Sequence, residues 1–378
     1  MRFAMFYHSL VSDWNHGNAH FLRGIATELQ AKGHEVRIFE PEDSWSRTNL
    51  VHERGPEAIA AFRRAFPHLD SIQYRVDELN LAERLDKVDL VIVHEWNGPS
   101  LVSAIGQYRR RNRAVRILFH DTHHRALTAK EELARFDLNN YDGVLVYGAS
   151  LKARYERAGW GKQVQVWHEA ADVRTFYPRR GERTLGDIVW IGNWGDEERT
   201  AELREYFVEP VKRAPWKARA YGVRYPEFAV RELNEAGIDY CGWLPNFEVP
   251  EVFARFKATI HVPRRPYTRE LPGIPTIRPF EALASGIPLI SAPWEDSERL
   301  FHVGRDFLMA SNAEQVQKHL RDVLNDRLLA QTLSANGLET IHTRHTCAHR
   351  VDELLNIYDA MRPALPREQA PVAAEVHA

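Results

Sequence analysis

Cysteine is scarce in this chain. Cys241 and Cys347 are the two present among 378 residues, which is too few for a disulfide framework or a cysteine-based metal site. Long apolar runs are missing as well, because no stretch approaches the roughly 20 apolar residues that span a bilayer. The first 20 residues carry one arginine and too short an apolar run for a secretory signal. We therefore expect a cytoplasmic protein.

An excess of charge of one sign is also missing. The formal net charge is -2, so the overall balance gives no support for nucleic-acid binding. The proportions of hydrophobic residues, 44%, and charged residues, 27%, are those of a soluble globular protein. Eighteen histidines and ten tryptophans are more than we expect and indicate polar and stacking chemistry in a cleft. The length exceeds the ~250–300 residues at which a single core usually stops growing, which predicts two domains.

Short apolar runs alternate with helical patterns along the chain, and this predicts two α/β domains with parallel sheets. Candidate strands of the first series are residues 2–7, 35–40, 89–94, 115–120 and 143–147. Candidate strands of the second series are residues 187–191, 218–221, 238–241, 258–262 and 288–291. We predict a Rossmann-like acceptor domain over 1–168, a linker over 169–183, a Rossmann-like donor domain over 184–349, a helix over 350–362 that packs back on the first domain, and a disordered tail over 363–378.

A dinucleotide-binding loop would show G-x-G-x-x-G after the first strand. The glycines there are Gly17 and Gly24, with histidine-rich sequence before Gly17, and this argues against a dehydrogenase. Open parallel sheets nevertheless bind ligands beyond the carboxyl ends of their strands, often with a helix N-terminus holding a phosphate. Gly17 and Asn18, immediately before the first helix, fit such a site or an ordinary turn with an asparagine cap.

The most informative segment is PGIPTIRPFEALASGIPLIS, residues 272–291. Thr276 is a candidate cap, Pro279 fits the first helical turn and Gly286 ends the helix. Exposed amides at such a helix start can bind a diphosphate, and the carboxylate of Glu281 can accept hydrogen bonds from the vicinal hydroxyls of a ribose.

From Glu281 onward, EALASGIPLI resembles the nucleotide-sugar site of GT-B glycosyltransferases, in particular the retaining superfamily that includes glycogen and sucrose synthases. That superfamily shows E-x7-E followed by A-[LM]-A-x-G-x-P, and the resemblance implies that Glu281 contacts the donor ribose. Gly273 stands where the first glutamate belongs. The resemblance gives this first glutamate a contact with the donor sugar. In this chain that contact is absent, or it is supplied by Glu270 or by backbone amides of the loop at Gly273 and Ile274. Arg278, three residues before Glu281, resembles the CgeB-like spore-maturation branch, as do residues 335–355.

Other segments carry the same resemblance over about residues 1–360. HEAADVRTFYP, residues 168–178, is similar to the interdomain sequence of the superfamily, with Asp172, Phe176 and Pro178 in register. Residues 17–36 resemble its opening helix and second strand, and residues 147–159 resemble its serine-to-glycine step.

The cluster FHDTHHR, residues 119–125, closes a candidate strand with three histidines and one aspartate. These residue types can bind zinc or iron. The resemblance instead implies a histidine near the donor sugar and the acceptor, and His120 is the best-placed match. His94 and Glu95 close the neighbouring strand and are candidates for the same cleft. For each of the three, simple packing at a strand end is the alternative.

Candidate donor-binding residues lie in three further segments. The resemblance assigns Gly192 and Asn193 to a loop beside the diphosphate, and Trp243 and Leu244 to the turn that holds the base. A guanidinium can bind phosphate oxygens bidentately, so Arg264, Arg265 and Arg278 are candidates for the diphosphate. A solvated surface pair is the alternative for Arg264 and Arg265.

One dense basic run, Arg109, Arg110, Arg111 and Arg113, follows a helical pattern. It fits a solvated helix end or a contact with an anionic membrane at the inner face.

The resemblance implies a metal-independent, retaining glycosyltransferase of the hexosyltransferase type, which needs no cofactor beyond a nucleotide-diphosphate sugar, UDP-sugars being favoured. A sugar, a lipid-linked molecule or another small molecule would be the acceptor, and nucleic acid is not expected. The alternatives are a nucleotide-sugar epimerase of the same fold and a non-catalytic nucleotide-sugar-binding protein.

Overall fold

In a computed structural model, which describes residues 1–361 apart from the side chain of Asp196, the first series of strands forms one seven-stranded parallel sheet. Its strands are β1 (Arg2–Phe6), β2 (Glu35–Pro41), β3 (Ser71–Tyr74), β4 (Leu90–His94), β5 (Arg116–Asp121), β6 (Gly143–Val146) and β7 (Val164–Val166). Their order across the sheet is β3-β2-β1-β4-β5-β6-β7. The predicted tail over 363–378 lies outside the described residues.

The second series forms a six-stranded parallel sheet. Its strands are β8 (Ile188–Ile191), β9 (Ala218–Tyr221), β10 (Ile238–Tyr240), β11 (Ala258–His261), β12 (Leu289–Ser291) and β13 (Leu308–Met309), in the order β10-β9-β8-β11-β12-β13. Two parallel α/β sheets confirm the predicted fold class. The three strands that the sequence analysis missed, β3, β7 and β13, all lie at sheet edges, where a strand is less buried and lacks a continuous apolar run.

Helices connect the strands in both domains. Those of the first domain are α1 (Ala19–Ala31), α2 (Trp45–Arg54), α3 (Glu57–Ala65), α4 (Leu81–Arg84), α5 (Pro99–Arg111), α6 (Arg125–Thr128), α7 (Lys130–Leu133) and α8 (Ala149–Ala158). The second series comprises α9 (Thr200–Leu203), α10 (Glu209–Lys212), α11 (Glu227–Glu235), α12 (Val249–Phe253), α13 (Arg265–Arg269), α14 (Ile277–Ser285), α15 (Ala313–Asn325), α16 (Arg327–Arg344) and α17 (Cys347–Ala360). Short 3-10 turns at Asp196–Glu198 and Asn246–Glu248 and a π-helical turn at Arg204–Val208 complete the elements.

Burial explains why the central strands form where they do. Strand β4, LVIVH, is buried along its whole length, as expected for a parallel sheet covered by helices on both faces. Helix α14 is buried at every position except Arg278, and it ends at Gly286, which adopts φ +70°. That left-handed geometry favours glycine and stops the helix immediately before β12.

The last helix returns to the first domain. Helix α17 packs against α1, where Lys32 Nζ lies 2.7 Å from a carboxylate oxygen of Asp352. The indole of Trp167 donates to the carbonyl oxygen of Arg350 at 2.8 Å. The segment after β7 and helix α17 therefore connect the two domains. No helix within residues 1–361 is long and apolar enough to cross a membrane.

Candidate active site

A cavity of about 930 Å³ lies between the two domains. Its lining residues follow strands β1, β2, β4 and β5 of the first sheet and β8, β9 and β11 of the second. Because the carboxyl ends of parallel strands share one edge of a sheet, both sheets direct their ligand-binding edges at this cavity. We call the lining residues up to Glu169 the first-domain wall and those from Trp190 onward the second-domain wall.

The structure brings most of the predicted donor-binding residues to this cavity. The lining residues among them are Gly17, Asn18, Gly192, Asn193, Trp243, Leu244, Arg264, Thr276 and Arg278. Asn193 also donates to the side-chain oxygen of Asn15 and so joins the two walls.

Four predicted donor-binding residues are not at the cavity: Arg265, Gly273, Ile274 and Glu281. Arg265 Nε donates to Glu202 at 2.8 Å, and its guanidinium also donates to the carbonyl oxygen of Glu197, so its side chain turns away. The loop at Gly273 and Ile274 packs between the domains, where Ile274 is buried against Gly148. This loop contacts protein, whereas one alternative of the sequence analysis was that its backbone amides contact the donor sugar.

The three predicted catalytic residues are fully buried behind the first-domain wall. His120 Nδ1 lies 2.6 Å from the hydroxyl of Tyr7, His94 Nε2 lies 3.0 Å from the hydroxyl of Thr122, and Glu95 pairs with Arg125 at 3.1 Å. None of the three lines the cavity. In this structure these contacts are with neighbouring side chains of the first domain, as the packing alternative expects, while Glu95 Oε1 and His120 Nε2 have no hydrogen-bond partner among the described residues.

Glu281 is fully buried and is also absent from the cavity lining. Its carboxylate pairs with Arg278, accepts a hydrogen bond from Asn246 Nδ2 at 2.6 Å and lies 3.2 Å from His20 Nδ1. Burial would raise the pKa of Glu281, but Arg278, His20 and Asn246 together outweigh it and lower that pKa. The carboxylate of Glu281 therefore lies behind the cavity wall, where it fixes the guanidinium of Arg278, and Arg278 lines the cavity.

The second-domain wall concentrates positive charge. Arg199, Arg264 and Arg278 all line it, and Arg199 donates to the carbonyl oxygens of Val262 and Asn193. Burial and then repulsion by Arg264 and Arg278 lower the pKa of Arg199 to about 9, so it stays protonated at neutral pH. Three guanidinium groups close enough to repel one another form a site for an anion.

The N-terminus of α14 opens onto the same wall. Its cap residue Thr276 makes no side-chain capping bond to the helix, because its hydroxyl lies 3.2 Å from His261 Nε2. Burial lowers the pKa of His261 to about 3, which leaves this ring neutral. The first amides of α14 and the positive end of its dipole therefore lie at the cavity together with Arg278.

Glu198 joins the two walls. It pairs with Arg264 at 2.7 Å and lies 3.4 Å from His124 Nε2 of the first domain. Burial alone would raise the pKa of Glu198, but His124 and Arg264 outweigh it and lower that pKa to about 2.

The histidines that line the first-domain wall include His8 and His16, which the sequence analysis missed, and His123, which belongs to its FHDTHHR cluster. His8 and His16 stack edge to face with ring centroids 4.2 Å apart, and His123 lies beside Trp96. Burial lowers the pKa of all three rings, that of His16 to about 3, so they are neutral at neutral pH. Their position directly after β1 and β5 was the available signal, since ligands bind beyond strand ends.

Glu169 was missed as well, although it lies in the segment that carries the family resemblance. One carboxylate oxygen accepts a hydrogen bond from Asn18 Nδ2 at 2.8 Å, and the other has no partner among the described residues. Burial raises the pKa of Glu169 to about 8. The cavity thus contains a carboxyl group that is largely protonated at neutral pH.

The structure also bears on two alternatives of the sequence analysis, a metal site at the histidine cluster and a membrane contact through the basic run. Within residues 1–361, no three His, Cys, Asp or Glu side chains are arranged to hold a metal ion. Arg109 forms a bidentate pair with Asp142 at 2.7 Å and is therefore not available to a membrane, whereas Arg110, Arg111 and Arg113 are exposed. These three lie at the end of α5 remote from the cavity, about 20 Å along the helix.

Comparison with known proteins agrees with this architecture. A family model described as "Glycosyl transferase-like" matches residues 199–356, and one described as "Glycosyltransferase Family 4" matches residues 17–175. No curated protein matches the chain by sequence.

Several solved structures share the fold at low sequence identity. Sucrose-phosphate synthase from Thermosynechococcus elongatus is 16% identical, with a TM-score of 0.66 over 96% of this chain and 99% of that one. HepE from Anabaena in complex with UDP is 12% identical, with a TM-score of 0.66 over 95% and 100%. An alpha-glucosyltransferase in complex with UDP is 14% identical, with a TM-score of 0.67 over 95% and 100%.

These identities establish the fold alone, and the family models add the glycosyltransferase character of each half. Each of the two glycosyltransferase family models matches less than half of the chain, one in each half, and the chain shares the two-domain fold of these solved structures.

Proposed function

We propose that this protein is a hexosyltransferase that binds a UDP-sugar on the second-domain wall and transfers the sugar to an acceptor on the first-domain wall. The cluster of Arg199, Arg264 and Arg278 beside the N-terminus of α14 is the observation that carries this proposal. A diphosphate is the anion that such a cluster suits, because several guanidinium groups and helix amides can share its charge. HepE and an alpha-glucosyltransferase, which share the fold, were solved with UDP.

The proposed reaction forms one bond and breaks one. The acceptor hydroxyl oxygen bonds to the anomeric carbon of the donor, the bond from that carbon to the diphosphate oxygen breaks, and the hydroxyl proton passes to the departing diphosphate. Negative charge grows on the diphosphate as the bond breaks, and fixed arginines and helix amides stabilise it there. Positive groups of this kind do the work that a divalent cation does elsewhere, which supports a metal-independent reaction.

Retention of anomeric configuration is part of the proposal. It is supported by the resemblance of the segment from Glu281 to the retaining superfamily. The spacing of Arg278 and Glu281 supports the CgeB-like branch in the same way. Both are predictions that the product and closer relatives will test.

Nucleic acid is not proposed as an acceptor. One structural neighbour, an alpha-glucosyltransferase, was solved with a 13-mer DNA, but the first-domain wall of this chain carries no lysine or arginine among its described residues. Membrane contact through Arg110, Arg111 and Arg113 stays a prediction, and their distance from the cavity gives no support for a lipid-linked acceptor.

The test begins with calorimetric binding of UDP and then follows UDP-glucose by NMR, with and without a mixture of candidate acceptors. We expect UDP to bind and the donor to be consumed faster with acceptor, with a new glycosidic signal in the α configuration. A β product would contradict retention. Epimerised sugar formed from the donor alone would establish the epimerase alternative, and UDP binding without turnover on any acceptor would establish the non-catalytic one.

A further inference from the structure

The first-domain wall contains buried polar atoms that have no partner among the described residues. Besides atoms of Asp13, His123, His124 and Tyr147, they are His8 Nδ1, Asn18 Oδ1 and Glu169 Oε2. All three residues are more than nine-tenths buried, and all three line the cavity. A buried polar atom without a hydrogen bond costs free energy, so these atoms indicate that a bound molecule supplies the partners.

None of these three groups carries a charge at neutral pH. Burial lowers the pKa of His8 well below its ordinary value, and burial raises the pKa of Glu169 to about 8. Asn18 is uncharged in any case. Neutral groups that both donate and accept hydrogen bonds match hydroxyl groups, which do the same. They do not match phosphate or carboxylate groups, which prefer cations.

Large exposed aromatic side chains are concentrated on this wall. Among the described residues, three aromatic residues expose more than a third of their surface: Trp45, Trp96 and Tyr177. The two tryptophans line the cavity, and Val76, 49% exposed, lines it beside them. Trp45 follows β2 and Trp96 follows β4, strands that flank β1, so the strand ends that carry them lie about 10 Å apart. Exposed indoles inside a cavity indicate a ligand with apolar faces.

Charge on this wall disfavours an anion. Asp43 is exposed at the cavity and has no ion pair among the described residues, and Asp13 already pairs with Arg23 at 2.9 Å. The four arginines that line the cavity all belong to the second-domain wall. A phosphorylated or acidic acceptor would therefore meet carboxylates where it needs cations.

We infer that the first-domain wall is a subsite for an uncharged oligosaccharide, in which Trp45 and Trp96 stack on sugar rings and His8, Asn18 and Glu169 hydrogen-bond to hydroxyl groups. This inference rests on the proposed function, because it assigns the acceptor of that reaction. It narrows the acceptor from any sugar, lipid-linked or small molecule to a neutral carbohydrate.

Labelled protein saturated with UDP is applied to an array of neutral and acidic oligosaccharides. We expect binding to neutral glycans and not to sulfated, phosphorylated or uronic-acid glycans. Trp96→Ala and Trp45→Ala are expected to weaken this binding about tenfold each, since stacking and burial of the ring are lost. Tyr177→Ala removes an equally exposed aromatic ring outside the cavity and is the matched control, with binding unchanged.

The outcomes separate this inference from the proposed function. Binding to acidic glycans alone, binding to none, or neutral binding that survives both tryptophan substitutions would overturn the subsite. Calorimetry with UDP is run on every variant, and both tryptophan variants are expected to retain the wild-type affinity, which also shows that they fold. If the unmodified protein does not bind UDP, the proposed function is contradicted instead.

Discussion

The two walls of the cavity differ in charge although both are built from the carboxyl ends of parallel strands. The second-domain wall carries four arginines and Glu198, whereas the first-domain wall carries Asp13, Asp43 and Glu169 and no lysine or arginine among its described residues. The fold therefore fixes where ligands bind, and the side chains after each strand decide which charge binds there. An anion belongs on one wall and uncharged groups belong on the other.

Two buried glutamates show the same contrast at the level of single residues. Glu281 has Arg278 as a partner and its pKa is lowered, whereas Glu169 has no cation and its pKa is raised to about 8. Burial acts on both in the same direction, so the neighbouring charge makes the difference.

The largest expected effect comes from removing the cation of the second-domain wall that compensates a buried charge. Arg278→Ala leaves the buried Glu281 without its arginine partner, and we expect a loss of about 3–5 kcal/mol in the free energy of unfolding. The double variant Arg278→Ala with Glu281→Ala should recover part of this loss, measured by urea denaturation. Equal losses in the single and double variants would show that the pair is not coupled.

The pH dependence of stability tests the opposite situation on the first-domain wall. Between the ordinary glutamate pKa of about 4.5 and the raised pKa of about 8, the unfolded chain ionises Glu169 while the folded chain keeps it protonated. Its contribution to folding is therefore complete below about pH 4.5 and is lost as the pH rises to 8, by about 5 kcal/mol at most.

The Glu169→Gln variant should lack this slope, so urea denaturation at pH 5 and pH 8 should show it gaining stability relative to the unmodified protein at pH 8. Glu198→Gln is the control. The pKa of Glu198 is lowered to about 2, so its carboxyl group in the folded protein does not titrate between pH 5 and pH 8. Parallel profiles for Glu169→Gln and the unmodified protein would contradict the raised pKa.

Adjacent arginines sharpen the comparison for donor binding. Arg264 lines the cavity, whereas Arg265 faces Glu202 outside it. We expect Arg264→Ala to weaken UDP binding about tenfold, because one charge-assisted hydrogen bond to the diphosphate is lost. Arg265→Ala should leave UDP affinity unchanged by calorimetry. The reverse order would place the diphosphate elsewhere.

The smallest expected effect is that of a chelator. If arginines stabilise the leaving diphosphate, EDTA should leave the rate of sugar transfer within about twofold of its original value. A loss of activity that zinc or manganese restores would instead favour a metal held by the histidines of the first-domain wall.

Much of the fold could be predicted because central strands of parallel sheets are apolar along their length. Strands β4 and β5 and helix α14 are almost entirely buried. Their apolar residues alone were enough to predict that these segments are buried elements. Edge strands such as β7, VQV, have a polar residue at their centre and only one neighbouring strand. Their pairing depends on the rest of the sheet, which a local pattern does not contain.

The site was harder to predict, because partners distant in the chain decide which side chains face the cavity. Glu281 is turned inward by Asn246 and His20, and neither is near it in sequence. Arg264 and Arg265 are neighbours with opposite orientations, which the turn into α13 determines. The composition of the FHDTHHR cluster indicated a functional site around His120. In the structure His120 is fully buried, whereas His123 and His124 line the cavity.

A crystal structure with UDP tests the central claim most directly. The account predicts that the diphosphate lies on the second-domain wall, within hydrogen-bonding distance of Arg264 and Arg278 and of the first amides of α14. A diphosphate on the first-domain wall, against Asp43 and the histidines, would contradict the division of charge between the two walls.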